Sequence, residues 1–252
     1  MKPAANLILL THKCGNHFFK SVFKKEASFV NYQSPDLKGT EMPGPDIEAI
    51  LDQTATFLNI RCRNFDPISL KKVSSYIAQE KTHYFQCVRH PASFFRSASE
   101  YHLTTPERWS KNKSQQHLHG LTLHKALKEA HNLDERLIIS MKHFGLAWRL
   151  PQRWVANVQY IESFGGHVKI LKTEDLFSNG SSVYFKDLAK SMSHDSYVID
   201  DQRLFNASPI SMEELPKHST GEFKKEFFAG YGNTAKDFYQ KYFAEIERYF
   251  YS

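Results

Sequence analysis

The run Asn6-Leu-Ile-Leu-Leu10, closed by Thr11 and followed by Gly15, limits what this chain can become more than any other feature. A short apolar run ending at turn residues suits a strand buried on both faces, the situation of parallel sheets. Directly after it, Phe18, Phe19, Val22 and Phe23 recur at helical spacing, with Lys20, Lys24 and Lys25 off that face. Lys24 and Lys25 also suit a helix C-terminus, where the dipole end is negative. The opening therefore reads strand, tight loop, helix.

Further strands are predicted over Ser28 to Tyr32, Thr56 to Arg61, Tyr84 to Val88 and Val168 to Leu171. Helical patterns fall at Ile68–Ala78, Ala92–His102, Leu121–Ala130 and Leu146–Phe164. Strands alternating with helices predict an α/β fold with a central parallel sheet flanked by helices. No repeat or dividing linker appears, so residues 1–252 are read as a single domain. Gln33 to Asp46, with its Pro and Gly, and Thr104 to Gly120, with its Gln and His, read as long loops of the kind that form lids or binding segments. From Asn233 onward, Phe238, Tyr242, Ile246, Tyr249 and Phe250 predict a final docked helix.

With 41% hydrophobic residues and 20 phenylalanines, the chain has material for a substantial core and is not a disordered one. Its net charge of +6 favours anionic partners. Nucleic acid, an anionic membrane and a phosphorylated cofactor all satisfy that condition, but the scattered Lys and Arg argue against a nucleic-acid arm. Cys14, Cys62 and Cys87 form no CxxC pair, which points to a reducing compartment. Leu7 to Leu10 is too short for a signal-peptide core, and no stretch is long enough to span a bilayer. A soluble, cytoplasmic protein is expected, with no metal site, since no cluster has ligand spacing.

Three segments carry candidate chemistry. Thr11-His-Lys-Cys-Gly-Asn-His17 lies between strand and helix, where unpaired N–H groups and a positive dipole end attract an anion. Gly15 permits close approach and Lys13 adds a full charge, although the GxxxxGK[ST] pattern is absent. Taken alone, the segment also suits an ordinary turn with a surface lysine. In Cys87-Val-Arg-His-Pro-Ala-Ser-Phe-Phe-Arg-Ser97, Arg89 leaves the carboxyl end of a strand, where open α/β sheets place ligands. Pro91 suits the first turn of a helix, and Ser97 follows Arg89 by about two turns. A guanidinium and a hydroxyl so placed can share a phosphate, or can be a surface ion-pair partner and a solvated serine. The third segment, Lys217-His-Ser-Thr-Gly-Glu-Phe-Lys-Lys-Glu-Phe227, is a basic loop that also reads as a solvated charged run.

Together these segments resemble the sulfotransferases that use 3'-phosphoadenosine-5'-phosphosulfate. That family's first loop is of the type Thr-x-Pro-Lys-Ser/Thr-Gly-Thr-Thr/Ser-Trp/Phe, and Lys13, Cys14, Gly15, Asn16, His17 and Phe18 fall on its last six positions. Its second motif, Arg-x-Pro with a Ser eight residues after the Arg, is matched by Arg89, Pro91 and Ser97, with Tyr101 and His102 beyond. Its late Arg-Lys-Gly-x-x-Gly-Asp-Trp-Lys-Asn-His-Phe is echoed by Lys217, Gly221, Glu222, Phe223, Lys224 and Phe227, and the run ending Thr-Glu-Asp-Leu176 resembles the family's Glu-Asp-Leu. The departures are His12 for Pro, Cys14 for a hydroxyl residue, Asn16-His17 for a hydroxyl pair, and Pro216 and His218 for Arg and Gly.

The resemblance implies a P-loop-like sulfotransferase fold and transfer of a sulfuryl group to a hydroxyl or amine of a small-molecule, carbohydrate or lipid acceptor, leaving adenosine-3',5'-bisphosphate. It implies that Lys13 to Phe18 hold the 5'-phosphosulfate, with Lys13 also catalytic, that Arg89 and Ser97 hold the 3'-phosphate, and that Lys217 and Gly221 assist. His17, Glu100 and His102 are the candidate bases. Ile60-Arg-Cys-Arg-Asn-Phe65 stands where cytosolic relatives end a strand in Lys-Thr-His. Trp109, His117 and His119 in the long loop are candidates to line an acceptor site, or are solvated lid residues. A small-molecule kinase shares the strand-loop-helix opening, and a non-catalytic nucleotide-binding module would share the fold.

Overall fold

The computed structural model describes residues 2–26, 28–33, 56–105, 107–178, 182–195, 197–208 and 226–252. In chain order the elements are β1 (Ala4–Leu10), α1 (Asn16–Phe23), β2 (Phe29–Gln33), β3 (Phe57–Arg63), α2 (Pro67–Ser74), β4 (Thr82–Val88), α3 (Pro91–Thr104), α4 (Arg108–Asn112), α5 (Leu123–Glu129) and α6 (Leu133–Ser140). A π-helical segment, Met141–Ala147, follows, and then α7 (Leu150–Glu162), β5 (Val168–Lys172), α8 (Thr173–Ser178), α9 (Ser182–Met192), α10 (Asp201–Ala207) and α11 (Asn233–Tyr251). The chain packs as two compact units, Met1–Val88 with Arg153–Glu214, and Arg89–Gln152 with Leu215–Ser252.

The first unit holds a five-stranded parallel sheet of order β2-β3-β1-β4-β5. Every residue of β1 is buried, which is why its sequence is a continuous apolar run rather than an alternating one. β1 is central, with Leu7 opposite Ile60 of β3 on one side and Tyr84 of β4 on the other. From β1 the chain moves outward to β2, returns to β3, then crosses to β4 and on to β5. Connections thus leave β1 and β4 in opposite directions, and their carboxyl ends flank the crevice where open α/β sheets bind ligands. Phe18, Phe19, Val22 and Phe23 are the buried face of α1, as their spacing predicts.

The second unit is helical in its described residues. Phe94 and Phe95 of α3, Phe144 of the π-helical segment and Phe243 of α11 are buried within it. A Cβ on Gly145 would run into the rings of Phe243 and Phe95, so this close approach requires glycine. Ser140 Oγ donates to Phe95 O at 2.8 Å, and Tyr231 Oη donates to Ala92 O at 2.8 Å.

The five predicted strands are present with ends moved by one or two residues. The predicted loop Thr104–Gly120 contains α4, a 3-10 turn at Gln116–Leu118 and a bridge between Ser114 and Thr122. The predicted helix Leu146–Phe164 begins at Leu150, because Arg149 adopts a left-handed φ of 52° and interrupts it. Of the predicted loop Gln33–Asp46, all beyond Gln33 lies outside the described residues. No described helix is long and apolar enough to cross a membrane.

Candidate functional site

Four hydrogen bonds within its own unit brace the loop after β1. Trp154 Nε1 donates to Thr11 Oγ1 at 2.9 Å, and that hydroxyl in turn donates to Cys14 Sγ at 3.1 Å. Asn64, itself left-handed at φ 58°, accepts from His12 N through Oδ1 at 3.0 Å, and its carbonyl accepts from Arg153 at 2.9 Å. These bonds tie the loop to the end of β3 and to α7. Lys13 sits at φ 62°, a left-handed position that costs a non-glycine residue about 1 kcal/mol. Gly15, at φ 69°, is the N-cap of α1 and offers no capping side chain. The first-turn amides of α1 therefore have no side-chain acceptor at the cap, which is the arrangement that accommodates an anion.

The predicted loop residues fall into distinct places. Lys13 is half-buried and His17 is exposed. Cys14 and Phe18 are buried, and Phe18 packs edge-on against Phe19 with ring centroids 4.8 Å apart. Asn16 is committed at both ends of its amide: Nδ2 donates to Thr11 O at 2.5 Å, and Oδ1 accepts from Arg61 at 3.1 Å. Where the resembled family has hydroxyls, this chain thus has a buried thiol and an internally bonded amide. Burial raises the thiol of Cys87 in β4 well above its ordinary range, and Cys14 adds to that shift.

Arg61 is a residue that reasoning from motifs missed. Its guanidinium is buried and donates to Asn31 Oδ1 at 3.0 Å as well as to Asn16. Burial, then the charge of Arg63, lowers its pKa to about 10. The signal was present in the sequence as Arg-Cys-Arg at the carboxyl end of a predicted strand.

Thr173 fixes the end of β4, donating from its buried Oγ1 to Val88 O at 2.8 Å. This gives the Thr-Glu-Asp-Leu176 run a structural role, and Leu176 also lies within ordinary contact distance of a Cβ built on Gly15. Burial pushes the carboxyl of Asp175 up, with Lys172 opposing and Glu174 reinforcing the shift.

In the second unit, Arg89 is the first residue after β4 and is buried. Its Nε donates to Ser93 Oγ at 3.0 Å, one turn into α3, and Ser97 is buried a further turn on the same face. Ser93 went unnoticed in the motif, although its spacing of four from Arg89 carried the signal. The third segment meets the second here. Phe227 stacks on His90 with centroids 3.7 Å apart and planes 4° from parallel, while His90 Nε2 lies 3.3 Å from Glu247 Oε1. Lys217 and Gly221 lie outside the described residues.

The candidate bases separate. Glu100 pairs with Arg96 at 2.9 Å, a half-exposed i,i+4 contact on α3. His102 is fully buried, edge-on to Trp109 and stacked on Phe144. Spaced by two on a helix, Glu100 and His102 face different directions. Trp109 and His117 both pack on buried His143, at 5.8 Å and 5.1 Å between ring centroids, and His117 Nε2 lies 2.9 Å from His143 Nδ1. His119 is exposed in a left-handed turn. Among the described residues, no group of three or more His, Cys, Asp or Glu is arranged to hold a metal ion.

No family model matches this chain, and a search of the curated proteins finds no match either.

Proposed function

We propose that this protein transfers a sulfuryl group from 3'-phosphoadenosine-5'-phosphosulfate to a hydroxyl or amine acceptor. The observation that carries the reading is the stack of Phe227 on His90. It joins, within one unit, the ends of two segments that the resemblance to the sulfotransferases implies for one nucleotide. The open α/β sheet adds general support, because its carboxyl edge at β1 and β4 is the usual place for a phosphorylated ligand.

The side chains fit the donor's chemistry. Lys13 brings an ammonium to the loop, and the first turn of α1 directs a dipole end of the same sign. Arg89, with Ser93 and Ser97 on one helix face, is a donor set suited to a terminal phosphate. The donor supplies sulfur bonded to a phosphate that departs as sulfur joins the acceptor oxygen or nitrogen. Lys13 stabilises the charge that grows on the departing oxygen, and a base accepts the acceptor's proton.

A second reading, a nucleotide-binding module without turnover, is favoured by Cys14 being buried and the Asn16 amide being bonded internally. Calorimetric titration separates the readings. The transferase and the module both bind adenosine-3',5'-bisphosphate more tightly than ATP or ADP, and transfer of label from the donor to a mixed panel of carbohydrate, phenolic, lipid and peptide acceptors belongs to the transferase alone. Tighter binding of ATP would overturn both and leave a kinase.

A further inference from the structure

Arg61 and Arg63 project from one face of β3, two residues apart, at the carboxyl edge of the sheet. Arg61 is only 5% exposed. Two of its nitrogens are bonded to neutral amide oxygens of Asn16 and Asn31, and among the described residues none is bonded to an acid. The Nε atoms of both arginines are buried and unbonded among the described residues. Nor does any described carboxylate lie within ion-pair distance of either guanidinium. Glu26, which bonds Asn59 two residues earlier on the same strand, is taken up by Asn59, Tyr197 and Arg203.

Two neighbouring guanidiniums, one of them buried and without a described carboxylate beside it, are costly unless a counter-anion joins them. Sheet order indicates which anion. β3 lies on the opposite side of β1 from β4, so Arg61 and Arg63 lie on the β3 side of the β1 end that carries the Lys13 loop. A nucleotide extending from the loop over the β4 side would leave the β3 side to the acceptor in an in-line displacement.

Resting on the sulfotransferase reading, we propose that Arg61 and Arg63 form an oxyanion site that holds an acidic group, carboxylate or sulfate, of the acceptor. The enzyme's substrates are then acidic molecules such as uronic-acid or already sulfated sugars, and neutral ones are poor.

Inorganic sulfate is the first probe, titrated into the full chain while the arginine Nε–H resonances are followed by NMR. A saturable shift at Arg61 and Arg63 is the expected result. Arg63→Gln, at a half-buried position, should weaken the site about tenfold, the loss of a hydrogen bond to a charged group, and Arg63→Lys should restore part of it. No saturable shift, or the same affinity in Arg63→Gln, overturns the site. Repeating the titration with adenosine-3',5'-bisphosphate bound and then with the full donor bound distinguishes two sources. Sulfate that still binds beside the donor belongs to the acceptor side. Sulfate excluded by the donor but not by the bisphosphate shows that the pair holds the transferring group, which overturns the acceptor assignment. Failure to bind the bisphosphate sinks the transferase reading instead, and the nucleotide-free sulfate titration still decides the anion site.

Discussion

The imidazole of His90 and the ring of Phe227 lie face to face, 4° from parallel, although far apart in sequence. An aromatic stack of this kind contributes about 0.5–1.5 kcal/mol beyond its buried area. Phe227→Ala is therefore expected to weaken binding of adenosine-3',5'-bisphosphate by about two- to tenfold, with Phe227→Tyr close to wild type. Calorimetry on the three proteins measures this, and equal affinities would disconnect the stack from the nucleotide.

Lys13 combines a charge with an unfavourable backbone angle, and two substitutions separate those properties. Lys13→Ala removes the side chain beyond Cβ, ammonium included, and keeps the left-handed cost, while Lys13→Gly relieves that cost as well. Transfer should fall about 10²–10³-fold in both, with bisphosphate affinity largely kept. Thermal melts should rank the Gly variant above the Ala variant. Wild-type turnover in either would remove Lys13 from the chemistry.

Trp154→Phe keeps the buried bulk and deletes the donor to Thr11 Oγ1. A loss of about 1 kcal/mol in urea unfolding is expected, with an unchanged m-value. Donor affinity should fall as well, because the loop loses an internal tie. A variant as stable as the parent would show that the bond contributes nothing measurable.

Burial, then the neighbouring His117 and His102, lowers the pKa of His143 to about 3. A group whose folded pKa lies below its unfolded one gives full stability above the unfolded value, about 6.5 for histidine, and loses it as pH falls toward the folded value. Between those limits the unfolded chain binds the extra proton, so acidification costs about 1.4 kcal/mol per pH unit from this residue. His117 and His83, both lowered chiefly by burial, add slope of the same sign. Urea melts between pH 7.5 and pH 5 should show the decline, and His143→Phe should flatten it. An identical slope in that variant would exonerate His143.

The strands were legible because a parallel sheet buries both faces of its inner members, so β1 announces itself as an apolar run, while β3 and β4 show as short runs in which apolar and aromatic residues are mixed with buried polar ones. The helix Ser182–Met192 carried a signal too, with Phe185, Leu188, Ala189 and Met192 buried at helical spacing, yet it was not among the predicted elements. The break at Arg149 was not legible, since periodicity does not report one left-handed residue. Lys13 and Gly15 were marked by their place between strand and helix. The tie between Arg61 and Asn16 was not, because a contact between residues 45 apart leaves no mark on either local pattern.

The double commitment of the Asn16 amide has one more consequence. With that amide turned inward and Cys14 enclosed, Lys13 and the main chain are what remain of the loop's innermost stretch to face a visitor. An anion received there would meet charge and curvature rather than the lettering of the motif. Exchanges at 14 and 16 that preserve the internal ties would leave such a surface unaltered, whereas a change at Trp154 or Asn64, outside the motif, would reshape it.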